Sequence, residues 1–122
     1  MESSHERTNN AAETVRNAQR VIAAHLGENL TLQDIAARVY ASRTYLCIAF
    51  KQQTGQSVGA YLRACRVERA KELLAGTAAP ISEIAQAVGY QRQSSFSEAF
   101  RKETSASPSE WRAAHRTHTT HP

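Results

Sequence analysis

Apolar side chains recur along this chain at the three- and four-residue steps of amphipathic helices, and strand-favouring runs of Val, Ile, Thr and aromatic residues are missing. From Ala12 to Leu26, the residues Val15, Ala18, Val21, Ile22 and His25 fall on one face, and Gly27 closes the segment. Thr31 then caps a short helix, with Asp34 three residues on as a weak capping box and Leu32, Ile35, Ala36 and Val39 inside. Ser42 caps a second helix through Gln53, packed by Tyr45, Leu46, Ala49 and Phe50 and stopped at Gly55. Ser57 opens a longer helix to about Ala75, carrying Val58, Tyr61, Leu62, Cys65, Ala70, Leu73 and Leu74. Gly76 ends it, and Pro80 starts the next, which holds Ile81, Ile84, Ala85 and Val88. After a tight turn at Gly89 a further helix buries Phe96, Ala99 and Phe100. The last opens on Ser107-Pro108-Ser109-Glu110 and carries Trp111. The expectation is an all-α chain of seven helices.

The pattern repeats itself. Leu32-Gln-Asp-Ile35-Ala36-Ala-Arg-Val39 matches Ile81-Ser-Glu-Ile84-Ala85-Gln-Ala-Val88, and Leu46-Cys-Ile-Ala-Phe50 matches Phe96-Ser-Glu-Ala-Phe100. Each half is a short helix, a turn and a second helix whose inner face locks onto the first, the helix-turn-helix layout. The expected organisation is a flexible arm over 1–11 and a first helix-turn-helix subdomain over 12–56. A linker helix follows over 57–76, then a second subdomain over 77–116 and a flexible tail over 117–122. Two helical hairpins also occur in plain bundles, so this pattern alone leaves that reading open.

Composition narrows the choice. The chain has 122 residues and a formal net charge of +4, which is mild. Its distribution says more: between Tyr40 and Lys71 the bases Arg43, Lys51, Arg63, Arg66, Arg69 and Lys71 face the single acid Glu68. A local basic excess is what a polyanion-binding face requires. No stretch approaches the length of a membrane span, the polar start has no apolar signal core, and Cys47 and Cys65 lack metal-type spacing. These point to a reduced cytoplasmic setting, associated with the nucleoid.

The residues Ile81-x-x-Ile84-Ala85-x-x-Val88-Gly89-Tyr90, then Ser94, Phe96-Ser97, Phe100-Arg101-Lys102 and Ser107-Pro108-x-x-Trp111-Arg112, closely resemble the AraC/XylS family signature. Ser42, Leu46, Phe50-Lys51, Thr54-Gly55, Ser57, Tyr61-Leu62, Arg66-Val67 and Ala70 continue it in the first half. The resemblance covers about Ala12 to His115. It implies a DNA-binding domain with two helix-turn-helix units joined by the long middle helix. They would enter successive major grooves of promoter DNA, with activation through contact to RNA polymerase. It further suggests the stand-alone, MarA/SoxS-like subset, whose members bind as monomers to asymmetric sites; Met1 and the polar start speak weakly against a fragment of a larger sensor. Departures are Tyr40 and Ser105 where the family often has Gly, Arg92 in place of a common acid and Glu98 in place of a common Arg. Tyr40 obliges its turn to avoid a left-handed backbone or to be strained.

The outer faces supply the candidate contacts. In the first unit Arg43, Thr44, Cys47 and Ile48 are placed to reach base edges, Arg43 by pairing with guanine, Ile48 and the Thr44 methyl by packing on thymine methyl groups. In the second unit Arg92, Gln93, Ser94, Ser97 and Glu98 are so placed, with Gln93 suited to adenine and Glu98 to cytosine or to pairing with Arg101 or Lys102. Lys51, Arg101, Lys102 and the caps Thr31 and Ser42 are candidates for phosphate. Arg63, Arg66 and Arg69 step along the long helix, where Glu68 and Glu72 offer ordinary surface pairing. A second reading, a protein-interaction module that lost its DNA face, draws on Glu98, Cys47 and Ile48; Arg43, Lys51, Arg92, Gln93, Arg101 and Lys102 weigh against it. No catalytic constellation, cofactor motif or metal site is expected, since His115, His118 and His121 lie in a Thr-rich tail.

Overall fold

A computed structural model of the chain describes residues 2–116, with side chains from Asn10 onward. The described residues form seven helices and no strand: α1 (Glu2–Ala24), α2 (Leu32–Arg38), α3 (Arg43–Thr54), α4 (Val58–Gly76), α5 (Ile81–Ala87), α6 (Gln93–Thr104) and α7 (Pro108–His115). They make two compact units. One comprises residues up to Leu26 together with Leu30–Leu62; the other comprises Gly27–Asn29 and the chain from Arg63 on.

In the first unit α1 lies against both α2 and α3. The core holds Val15, Ala18, Ile22, Leu30, Ile35, Ala36, Leu46, Ala49, Phe50 and Val58. The apolar steps of three and four residues on α1 and α3 therefore meet, and Tyr61 closes one end with its ring edge-on to Phe50 at 5.3 Å. In the second unit Val67, Ala70, Leu74, Ile84, Ala85, Val88, Phe96 and Phe100 are buried together. A run of rings extends that core, from Tyr90 to Phe96 (5.8 Å), Phe100 (5.7 Å) and Trp111 (6.0 Å). Each buried phenylalanine contributes roughly 1.5–3 kcal/mol of transfer free energy.

The internal repeat reaches into the hydrogen bonds of the turns. Thr54 Oγ1 donates to the Phe50 carbonyl and accepts from the Gln56 amide; Thr104 Oγ1 donates to the Phe100 carbonyl and accepts from the Ala106 amide. The Ala41 amide donates to the Ala36 carbonyl, as the Tyr90 amide does to that of Ala85. Backbone shape repeats too. Gly89 (φ 100°) and Tyr40 (φ 59°) hold equivalent left-handed positions in the two turns, and Gly55 (φ 81°) and Ser105 (φ 69°) do so after α3 and α6. Of the alternatives open to Tyr40, the turn adopts the left-handed one.

Four expectations change. First, α1 extends back to Glu2 where an arm through residue 11 was expected, because no Gly or Pro interrupts the sequence from Glu2 to Ala24. Second, the boundary between the compact units falls inside α4, after Leu62, and not at the ends of the long helix. Third, Tyr45 is 39% exposed rather than buried. Its counterpart in the second half is Ser95, also exposed, so the repeat carried that signal. Fourth, Arg66 is buried. Its Nη2 donates to the Glu28 carbonyl at 3.0 Å, and the guanidinium stacks on Tyr90 at 5.2 Å. The proposed tail over 117–122, including His118 and His121, lies outside the described residues.

Candidate nucleic-acid interface

Each second helix has one buried edge and one open face. On α3, Leu46, Ala49 and Phe50 are buried, while Arg43, Thr44, Cys47, Ile48 and Lys51 are exposed. A helix turns 100° per residue, so positions 44, 48 and 51 share the side opposite 46, 49 and 50, with 47 and then 43 toward its edge. On α6 the buried set is Phe96, Ala99 and Phe100, and Arg92, Gln93, Ser94, Glu98, Arg101 and Lys102 are exposed. Ser97 is half-buried at the edge of that face. The structure thus brings the residues expected to meet bases onto one face of each helix. Ile48, for which burial was the competing reading, is 54% exposed.

Charge on these faces is mostly positive and mostly uncommitted. Lys51 sits in the last turn of α3, and Arg101 and Lys102 in the last turn of α6, where they also complement the helix dipoles. Among the described residues Glu98 forms no ion pair with Arg101 or Lys102, although the three line one open depression with Ser94 and Ser97. The basic steps along α4 are different. Arg63 pairs with Glu103 at 2.9 Å, Arg69 with Glu72 and Lys71 with Glu68, so that helix commits these three cations to surface pairs.

Of the two caps, Ser42 keeps its hydroxyl proton for an outside acceptor, whereas the Thr31 hydroxyl also meets the Asp34 carboxylate. Ser42 Oγ accepts from the Tyr45 amide at 3.0 Å, and Thr31 Oγ1 accepts from the Asp34 amide at 3.0 Å. A hydroxyl that accepts in this way still has its own hydrogen to donate. The Asp34 carboxylate takes the Thr31 amide in return, completing a full capping box where a weak one was expected. These bonds from Thr31, first the backbone amide and then the hydroxyl contact, hold the Asp34 carboxyl below its usual range. Glu110 is lowered for the same reason by the backbone and side chain of Ser107.

Two residues beside the open face of α3 were not among the expected contacts. Tyr40 is 96% exposed, and with Tyr45, Ser42, Ala41, Thr14 and Asn10 it lines an open depression at the N-terminus of α3. No group of three metal-ligating side chains occurs among the described residues, and no described helix is long and apolar enough to cross a membrane.

Comparison with known proteins agrees with this architecture. A family described as a helix-turn-helix domain matches residues 35–114. The arabinose operon regulatory protein of Escherichia coli is 40% identical over 100 residues, which cover 81% of this chain and 34% of that protein. The C-terminal domain of AraT, a response regulator from Geobacillus stearothermophilus, is similar with a TM-score of 0.84 and 38% identity, over 89% of this chain and 93% of that one. The DNA-binding domain of AdpA, a global transcriptional factor solved in complex with a target DNA, gives 0.78 and 28% identity over 82% and 90%. The chain spans about one third of the length of the curated relatives it matches. With both helix pairs in place and the family match spanning them, the chain belongs to the AraC-type family of helix-turn-helix transcription regulators.

Proposed function

We propose that this chain binds double-stranded promoter DNA in a sequence-specific way and regulates transcription, acting as an activator that contacts RNA polymerase. It works as a monomer in the cytoplasm, associated with the nucleoid. The α3 and α6 helices enter successive major grooves. Arg43, Thr44, Cys47 and Ile48, and Arg92, Gln93, Ser94, Ser97 and Glu98, meet base edges. Lys51, Arg101, Lys102, Thr31 and Ser42 meet phosphates. The observation that carries this reading is the duplicated exposed face: in both halves the second helix buries an aromatic edge and leaves cations and hydrogen-bonding groups open to solvent. The DNA complex of the AdpA domain, similar over 82% of this chain, supports it.

Selection of bound sequences from random duplexes, followed by titration across salt, tests the proposal. The expected result is a shared asymmetric motif spanning about two helical turns. Affinity should fall with salt by about 0.9 log units per log unit for each phosphate contacted. Recovery of no motif, with weak binding indifferent to sequence, overturns it.

A further inference from the structure

We infer that the loop Gly27–Asn29 and Arg66 are positioning elements for α6. They touch no base, yet they hold that helix at a set angle and so govern how strictly its half of a DNA site is read. The inference rests on the DNA-binding reading above and names what aims one of its two helices. The series of contacts begins at Gly27. A Cβ there would lie 2.6 Å from the Ala87 carbonyl oxygen, a distance no side-chain carbon tolerates against backbone. Only glycine therefore lets the loop lie against the last residue of α5. One residue on, the Glu28 carbonyl accepts from Arg66 Nη2 at 3.0 Å. The same guanidinium lies 5.2 Å from the centre of the Tyr90 ring, just past the left-handed Gly89 in the turn between α5 and α6. The Tyr90 amide donates to the Ala85 carbonyl at 2.9 Å, and its ring meets Phe96 at 5.8 Å. Phe96 is fully buried and is the first inner residue of α6. Loop, arginine, turn and helix thus form one unbroken series.

The two halves of the chain differ at this point. Ala41 holds the place of Tyr90 in the first half, with the same amide bond, to Ala36, but no ring. Tyr40 beside it is 96% exposed. The link from ring to arginine is therefore a property of the turn into α6, added to a backbone that both turns share. Filling space is a weak reason for a guanidinium at position 66. Arg66 is only 9% exposed and its Nε meets no acceptor among the described residues, which makes it a costly filler. What arginine adds is direction, because its rigid planar fork holds a carbonyl at one edge and a ring on its face. Direction matters at α6, since a binding site tolerates only about 0.5 Å or 10–20° of misplacement before its contacts weaken.

The test uses the whole chain, the duplex it selects and the single-base variants of that duplex. Arg43→Ala and Gln93→Ala first mark which base positions belong to α3 and which to α6. Gly27→Ala and Arg66→Lys are then compared with the parent at a temperature where circular dichroism shows each of them folded. We expect both to relax preference at the α6 positions by about three- to tenfold, part of what a lost base contact costs, and to leave the α3 positions within about twofold. Because the two break one series of contacts, the double variant should be no laxer than either alone. Tyr90→Leu removes the ring on which Arg66 lies and should give the same profile; it carries the test if Gly27→Ala does not fold. Val67→Ala thins the same core but alters no residue of the series, so it should lower the melting midpoint and keep the parent's preferences in both halves. Three results overturn the inference and leave DNA binding in place: equal relaxation in both halves, parental preference in folded Arg66→Lys and Tyr90→Leu, or an α6-specific relaxation in Val67→Ala. A parent chain that selects no duplex removes the DNA-binding reading itself, before any variant is made.

Discussion

Tyr40 and Ser105 hold a backbone conformation that glycine holds at the matching place in the other half of the chain. A left-handed backbone costs a residue with a Cβ about 1–2 kcal/mol, against roughly 0.5–1 kcal/mol for the extra freedom a glycine loses on folding. Tyr40→Gly and Ser105→Gly should each raise stability by up to about 1 kcal/mol, seen as a thermal midpoint higher by ~2–6 °C. An unchanged or lower midpoint in both would mean that these turns are not strained. Arg66 makes the opposite case, a polar group the fold depends on. Its guanidinium holds the Glu28 carbonyl and lies on the Tyr90 ring, and burial pushes both the Arg66 guanidinium down and the Tyr90 phenol up from their ordinary values. Arg66→Met removes this hydrogen bond and the stacking on Tyr90 and should cost about 1–3 kcal/mol in denaturant unfolding, and Arg66→Lys should not restore it, since an ammonium cannot both stack and reach.

At the scale of the helix, capping set most boundaries, and capping was legible in the sequence. Thr31, Ser42, Ser57 and Ser107 each accept an amide in the first turn, as their residue types and spacing predicted. The open faces of α3 and α6 were legible for a related reason: two large apolar residues and an alanine fix which side goes in, and the rest follows from the helical period. What stayed hidden is what depends on long-range partners. Nothing near Arg66 in sequence announces Glu28 or Tyr90, and the polar start of α1 carries no apolar stripe to mark it as helix. The two capping boxes carry a pH signature. Asp34 and Glu110 titrate lower in the folded chain than in the unfolded one, so the unfolded state binds more protons in acid. Their contribution is fully present above the ordinary carboxylate range, about pH 4, and is lost as pH falls through the lowered values. A chain carrying Asp34→Asn with Glu110→Gln should show a shallower loss of stability on the acid side; an identical acid limb would mean the boxes do not form in solution.

For the whole molecule the proposed division of labour between phosphate and base contacts can be measured on the selected duplex and its single-base variants. Lys51→Ala should weaken all duplexes alike and lower the salt slope by about one unit. Gln93→Ala should leave that slope near the parent and relax preference at one base position by about 1–3 kcal/mol. Equal behaviour of the two variants would mean that the assignment of faces is wrong. The placement of Gly27–Asn29 within the second unit has a different consequence. The chain leaves the first unit after Leu26, lends three residues to the other, and returns at Leu30, so the units are interleaved and no single scission separates them. A peptide starting at Arg63 lacks the carbonyl that Arg66 grips. Dissecting this protein into autonomous halves, as one does with beads on a string, would therefore yield a second half that melts below its counterpart in the intact chain.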